Sequence, residues 1–119
     1  MRIIREAEFT FKDDRGILKQ LISSHNGFKQ LNYATSKKGV SRGGHWHEIA
    51  TETFFLIRGR VKVDIKNMKT GLEQIEVFET GDIFIVEPYE KHIVTALEDS
   101  EWMAFFDNII NNLDIYKDV

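Results

Sequence analysis

Hydrophobic and charged residues alternate most regularly between positions 60 and 66, where Val61, Val63 and Ile65 are each followed by a charged side chain. A period of two places these three residues on one face of a β-strand and the charges on the other. After a turn at 68–71 the chain returns through 72–78, and we expect Ile75 and Val77 to point inward there. The two segments therefore predict a β-hairpin.

Short apolar segments of the same kind recur along the chain, separated by turns rich in glycine and polar residues. They predict roughly nine strands at intervals of 8–12 residues, which is typical of an all-β sandwich or barrel. Only the tail, 108–116, is a candidate helix, and its Asn-Asn pair weakens that prediction. We expect one antiparallel jelly-roll β-barrel domain over 1–119, with its core at about 13–107 and a short C-terminal tail. The remaining strands are predicted at 3–11, 17–22, 30–35, 53–57, 83–86, 92–97 and 101–106.

Composition narrows the classes of function. The 119 residues are 42% hydrophobic and 29% charged, which is typical of one soluble globular domain. A net charge of −3 argues against nucleic-acid binding through bulk positive charge. No apolar run reaches the ~20 residues that span a bilayer, so we expect no membrane partner. The chain has no cysteine, which fits the cytoplasm and leaves only histidine and carboxylate side chains to hold a metal.

Three of the four histidines lie where a barrel can bring them together. His45 and His47 share one face of an extended strand, and Trp46, on the other face, is expected to pack or to contact a second copy. Glu52 follows at the start of the next predicted strand, and His92 lies near a later turn. Three imidazoles and a carboxylate would suit Zn, Fe, Mn, Ni or Co, and the alternative is a polar cavity without metal. The fourth, His25, is predicted to be a solvated loop residue.

These residues resemble the first sequence motif of the cupin superfamily, G-x5-HxH-x(3,4)-E-x6-G. Every position of the motif is met, by Gly39, His45, His47, Glu52 and Gly59. The resemblance implies that His45, His47, Glu52 and His92 are the metal ligands.

The second cupin motif, G-x5-P-x-G-x2-H-x3-N, is met in spacing but only partly in identity. Gly81 and His92 match, whereas Glu87, Tyr89 and Ala96 replace the expected Pro, Gly and Asn. Tyr89 is a bulky residue at a turn position that glycine normally occupies.

A narrower resemblance follows from Asp14-Arg15-Gly16 and from the run that begins at Tyr33 and ends in Arg42-Gly-Gly-His-Trp-His. These segments are similar to the cupins of nucleotide-sugar epimerases and ketoisomerases, in particular the C-terminal cupin of capsular-polysaccharide UDP-sugar reductases. The resemblance implies epimerisation or isomerisation of a nucleotide-activated 4-keto sugar in surface-polysaccharide synthesis. Such a reaction removes a proton next to the ketone and stabilises the enolate by a metal or a hydrogen-bond donor.

Candidate residues can be assigned to each step of this chemistry. Arg42 and Lys91 could hold a pyrophosphate, and Tyr33 or Tyr89 could return a proton to the sugar. His45 and His47 are candidate catalytic residues, because the corresponding histidine is the base in metal-independent epimerases. A histidine bound to metal cannot also be the base, so the two roles exclude each other.

Two other functions stay open at this point. One is a non-catalytic module that binds a sugar or small ligand or senses a metal, and the other is an Fe(II)-dependent, dioxygenase-type cupin. We also expect a homodimer, because the exposed sheet edges of a short cupin need to be covered.

Overall fold

The computed structural model describes residues 1–23, 27–110 and 114–118. The secondary-structure elements of these residues are all β-strands. The strands are β1 (Arg2–Ile4), β2 (Phe9–Asp13), β3 (Gly16–Gln20), β4 (Gln30–Ser36), β5 (Ser41–Trp46), β6 (Glu52–Arg58), β7 (Arg60–Asn67), β8 (Glu73–Glu79), β9 (Ile83–Val86), β10 (Glu90–Ala96), β11 (Ser100–Phe106) and β12 (Tyr116–Lys117).

Ten of these strands form two antiparallel five-stranded sheets. The strand order is β1-β9-β6-β11-β4 in the first sheet and β12-β5-β10-β7-β8 in the second. Within the described ranges no ladder of hydrogen bonds joins the sheets into a closed barrel. The all-β jelly-roll prediction is confirmed, in the form of two facing sheets.

The core lies between the two sheets and takes side chains from both. Phe84 of the first sheet stacks on Phe54 of the same sheet and on Phe78 of the second sheet, with ring centroids 4.5 Å apart in each pair. Leu56, packed in the same cluster, is fully buried. Inward-facing residues alternate with half-buried ones along β10 and β11, as a period of two requires. This core is continuous with the inward-facing histidines described below.

The predicted hairpin at 60–78 is present, but the prediction of which face of its second strand points inward is wrong. Val61, Val63 and Ile65 are buried as expected. Ile75, predicted to point inward, is 62% exposed. Phe78 is the residue of β8 that pairs with Val61, so the inner face of β8 carries positions 74, 76 and 78 instead of 75 and 77.

The N-terminal strands differ from the prediction at 3–11. This segment is split between β1, which pairs with β9, and β2, which forms a separate two-stranded sheet with β3. The β2–β3 hairpin exposes four large apolar side chains, Phe9, Phe11, Ile17 and Leu18.

The predicted C-terminal helix is also wrong where the structure describes the tail. Residues 108–110 and 114–116 are not α-helical, and Tyr116 pairs with Trp46 at the edge of the second sheet. His25 lies outside the described residues. No helix in the described part of the chain is long and apolar enough to cross a membrane.

Candidate metal centre and ligand pocket

Two consecutive glycines, at 43–44, give β5 the geometry that the site needs. On β10, His92 and Val94 are two residues apart and both point inward. Their partners on β5 are His45 and Arg42, which are three residues apart, because the register shifts by one residue between them. Both glycines have positive φ, +106° and +80°. The additional residue makes a β-bulge, and it places Arg42 and His45 on the same side of the sheet.

The three histidines meet inside the sandwich at the end of this bulge. Ring centroids are 4.8 Å apart for His45 and His92, 5.1 Å for His45 and His47, and 5.7 Å for His47 and His92. One nitrogen from each ring lies within 4.8 Å of the other two. His47 and His92 are buried, whereas His45 is half-buried. The sequence prediction that these residues come together is therefore met in the structure.

Glu52 lies beside two of these rings. Its Oε1 atom is 3.3 Å from Nε2 of His92 and 3.6 Å from Nε2 of His47. The carboxyl group is buried, and Oε1 has no hydrogen-bond partner among the described residues. Nε2 of His47 also has none. Buried polar atoms without partners are costly, so this pair of atoms marks a position that a further group is needed to satisfy.

Backbone carbonyls fix the orientation of the two buried rings. Nδ1 of His47 is 2.7 Å from the carbonyl oxygen of Asp114, and Nδ1 of His92 is 3.1 Å from that of Glu90. A carbonyl only accepts, so Nδ1 carries the proton in both rings and Nε2 is the atom that faces the centre. Metal-binding histidines are commonly oriented by a partner on the other ring nitrogen.

The pKa values of the residues in the site are shifted in different directions. Burial, together with the neighbouring His92 and His47, lowers the pKa of His45 to about 4. For His47, burial is outweighed by Glu52 and by the carbonyl of Asp114, so its pKa is raised. Burial also opposes ionisation of Glu52, but His47 and His92 outweigh it and lower the pKa of the carboxyl. The site therefore favours an ionised carboxylate at Glu52 and a neutral imidazole at His45.

This donor set fits a divalent transition metal. Imidazole nitrogen and carboxylate oxygen are ligands of Zn, Fe, Mn, Ni and Co. A cation between Nε2 of His47 and Oε1 of Glu52 would satisfy both unpartnered atoms.

A pocket of about 490 Å³ opens from these residues toward β4. His45, Glu52 and His92 line its base, and apolar side chains that include Phe54 and Trp102 line its walls. Its volume lies in the range of small-molecule sites.

Arg42 and Tyr33 also line this pocket. Arg42 donates a hydrogen bond to the carbonyl of Thr35 at 2.9 Å, which leaves further guanidinium donors. The hydroxyl of Tyr33 bonds to the carboxylate of Glu101, and this bond raises the pKa of the tyrosine. Tyr33 pairs with Met103 and shares a face of β4 with Leu31, so its side chain is on the outer face of the first sheet, exposed and protonated.

Lys91 and Tyr89 are not brought to the pocket. Lys91 precedes His92 on β10 and faces outward, where it pairs with Asp118. Tyr89 has a φ of +70°, so it adopts the left-handed conformation of the glycine it replaces. Its backbone N–H bonds to the carbonyl of His47 at 2.7 Å, and its ring lies against Lys69. The contribution of Tyr89 in this structure is to the backbone at His47.

Two aspartates that contact the site are not predicted from the sequence. Asp114 and Asp107 accept hydrogen bonds from the backbone of the segment that joins β5 to β6. Both lie more than 50 positions away in sequence from the groups they bind, and no motif or spacing marks them. Only the fold of the C-terminal segment identifies them.

Two facing antiparallel sheets with an inward-pointing histidine cluster define a protein of the cupin class. The family model described as polysaccharide biosynthesis C-terminal domain matches residues 11–112, and the chain belongs to this family.

Among curated proteins, the chain is similar to the UDP-2-acetamido-2,6-beta-L-arabino-hexul-4-ose reductase of Pseudomonas aeruginosa. The two are 32% identical over 57% of this chain, and the chain spans only 20% of that enzyme.

Solved structures share the fold at low sequence identity. The RmlC epimerase of Mycobacterium tuberculosis aligns over 97% of this chain and 66% of its own, with 18% identity and a TM-score of 0.80. The 3,4-ketoisomerase QdtA of Thermoanaerobacterium thermosaccharolyticum, in a complex with TDP-4-keto-6-deoxyglucose, aligns over 98% of this chain and 86% of its own. Its identity is 16% and its TM-score is 0.78.

Proposed function

We propose that this chain is a metal-binding cupin that epimerises or isomerises a nucleotide-activated 4-keto sugar for surface-polysaccharide synthesis. The observation that carries the proposal is the pocket in which His45, Glu52 and His92 lie at the base and Arg42 at the side. Family membership and structural neighbours that act on nucleotide sugars support it. The cytoplasm is the compartment that this substrate class favours.

In the proposal, His45, His47, Glu52 and His92 hold the metal. When bound, a divalent cation would polarise the sugar carbonyl and stabilise negative charge on the enolate.

The residues around this centre take the remaining roles. Arg42 binds a phosphate of the nucleotide through its unused guanidinium donors. His45, the most exposed of the three histidines, either completes the metal site or takes the proton next to the ketone. Tyr33, kept protonated beside Glu101, is the candidate proton donor, and its side chain would have to turn from the outer face of the first sheet to reach the sugar.

Elemental analysis of protein purified without chelator tests the metal site. We expect about one metal ion per chain in the wild type and little in His92→Ala. Ile65→Ala is the matched control, because Ile65 is a buried residue of β7 directly opposite His92 and offers no ligand atom. Wild-type protein that folds well but retains no Zn, Fe, Mn, Ni or Co, and binds none on addition, would contradict the proposal.

Incubation with TDP-4-keto-6-deoxyglucose, or with a UDP-linked 4-keto sugar, in D2O tests the reaction. We expect deuterium at a carbon next to the ketone, detected by NMR. His45→Gln separates the two roles of this residue: retained metal with lost exchange identifies the base, and loss of both identifies a ligand. Tyr33→Phe, measured alongside, tests the proton donor.

One observation favours a non-catalytic binding module as the second candidate. If all three histidines and Glu52 bind metal, Tyr33 is the one remaining candidate acid or base among the described residues that line the pocket, and its bond to Glu101 raises its pKa. Ligand binding without deuterium exchange would support this reading. Oxygen uptake by the Fe(II)-loaded protein would instead support a dioxygenase-type cupin.

We also propose a homodimer in which the β2–β3 hairpin of each copy packs on the first sheet of the other. An isolated two-stranded hairpin is marginally stable in water, and the side chains of Phe9, Phe11 and Leu18 share one of its faces. The outer side of the first sheet exposes Leu31, and nearby Phe28 is also exposed. Mutual packing of hairpin and sheet is self-complementary, as a two-fold contact requires.

Sedimentation velocity tests the dimer with two variants of adjacent residues in β2. Phe11→Lys puts a charge on the apolar face and is expected to give monomers. Thr10→Lys puts the same charge on the other face and is expected to leave the dimer intact. A wild-type monomer, or equal behaviour of the two variants, would contradict the proposed interface.

A further inference from the structure

The segment 47–51, which connects β5 to β6, has an unusual set of hydrogen-bond partners. It begins at His47 and leads directly into Glu52, so it links two of the proposed ligands. Its next four backbone N–H groups, at 48–51, all bond to aspartate side chains. Those at 48, 49 and 50 bond to Asp114, and that at 51 bonds to Asp107.

Asp114 makes most of these contacts. Its Oδ1 accepts from the N–H of Glu48 at 2.7 Å and of Ile49 at 3.2 Å, and its Oδ2 accepts from Ala50 at 3.0 Å. The side chain is buried, with 6% of the residue exposed. Its own carbonyl oxygen is the partner of Nδ1 of His47, at 2.7 Å. One residue of the C-terminal segment therefore holds both the backbone of this connection and the ring of its first residue.

We propose that Asp114 is a positioning residue for the metal centre. Its carboxylate sets the path of 47–51, and thereby the separation of His47 from Glu52. Its carbonyl keeps the proton of His47 on Nδ1 and directs Nε2 toward the centre. The part of this inference that concerns metal affinity rests on the proposed function, whereas the part that concerns the ring of His47 does not.

The physical reason lies in the local backbone. Residues 47–51 are outside the strands, so no strand ladder satisfies their N–H groups. A carboxylate that accepts several N–H groups forms charge-assisted bonds and selects one loop conformation. Without it these donors would seek water or other acceptors, and the loop would sample several paths. The carbonyl at 114 would then no longer be held against His47.

The test compares Asp114→Ala and Asp114→Asn with Asp82→Ala. Asp82 is the matched control, because its carboxylate also accepts a backbone N–H, that of Glu79 at 2.8 Å, in a turn that does not line the pocket. Binding of Co²⁺ is followed by its visible spectrum and dissociation constant. The tautomer of His47 in metal-free protein is read from its ring ¹⁵N shifts, at a pH that keeps the ring neutral. Urea unfolding reports the stability of each variant.

We expect Asp114→Ala to weaken Co²⁺ binding by ~10–100-fold, as loss of a partner of a metal ligand does elsewhere. His47 should change from a single Nδ1–H tautomer to a mixture, and Asp114→Asn, which keeps one acceptor oxygen, should show smaller effects. Asp82→Ala should lose stability without either change. If Asp114→Ala does not fold, Asp114→Asn carries the test with the same signs.

Two results would overturn the inference. The first is an unchanged tautomer and unchanged Co²⁺ affinity in a folded Asp114 variant. The second is an equal change in Asp82→Ala, which would assign the effect to general stability. If wild-type protein binds no Co²⁺, the proposed metal site fails, and the tautomer of His47 then decides the role of Asp114 alone.

Discussion

Replacing Gly43 with alanine is expected to destabilise the fold in two ways, through its backbone conformation and through overlap of the added Cβ atom. Its φ of +106° is a conformation that side-chain-bearing residues rarely adopt, which costs roughly 1–2 kcal/mol. A Cβ atom at this position would also overlap the carbonyl oxygen of His92 and lie 3.3 Å from its carbonyl carbon and 3.4 Å from Cα of Ile93. These are backbone atoms of β10, so β5 would have to move away. Overpacking of this kind costs about 1–3 kcal/mol.

Gly44 is the matched control for this prediction. Its φ is +80°, but a Cβ atom there would meet nothing within 4 Å. We therefore expect Gly44→Ala to lose only the backbone contribution, ~1–2 kcal/mol, and Gly43→Ala to lose about 2–5 kcal/mol in urea unfolding. Because the movement occurs where His45 pairs with His92, Gly43→Ala should also weaken Co²⁺ binding. Equal unfolding free energies for the two variants would refute the argument that close approach requires glycine at 43.

Three further predictions follow from the site and the core. In metal-free protein at a pH between about 4 and 6.5, ring ¹⁵N shifts should show that His45 is neutral and His47 is protonated. Because the unfolded chain binds a proton at His45 in this interval and the folded chain does not, the contribution of His45 to the free energy of unfolding falls as the pH is lowered from ~6.5 toward 4. Glu52→Gln should lower the pKa of His47 in the same measurement, since burial is then less opposed, and an unchanged value would show that the carboxylate does not act on this ring. Leu56→Ala should reduce the free energy of unfolding by about 2–5 kcal/mol, and Leu72→Ala, at a position 73% exposed, by less than ~0.5 kcal/mol; similar losses would contradict the assigned core.

Local pattern was sufficient for most strands. Alternation at 60–66 requires only that one face of a strand be buried, and Val61, Val63 and Ile65 are buried as predicted. The prediction of Ile75 and Val77 as inward-facing failed for a different reason. Which face of β8 points inward depends on its register with β7, and the pairing of Phe78 with Val61 decides it. A shift by one residue exchanges the two faces, and the local pattern of β8 did not reveal which one applied.

For the residues predicted to form the site, too, local spacing predicted some positions correctly and the direction of strand side chains decided others. His45, His47 and Glu52 follow one motif of fixed spacing and His92 belongs to a second, and the structure brings the four together. Lys91 was placed near the site by its position next to His92, but adjacent residues of a strand point to opposite sides.

The all-β class, the position of most strands and the members of the histidine and carboxylate cluster could therefore be predicted from the sequence. Tertiary structure alone decided the direction in which Arg42 points, because that depends on a bulge whose second strand is β10. It also decided the contacts of Asp114, which reaches the site only through the path of the C-terminal segment. Periodicity and motif spacing are local properties of the chain, whereas register, bulges and hydrogen bonds across more than 60 residues are set by the packing of distant strands.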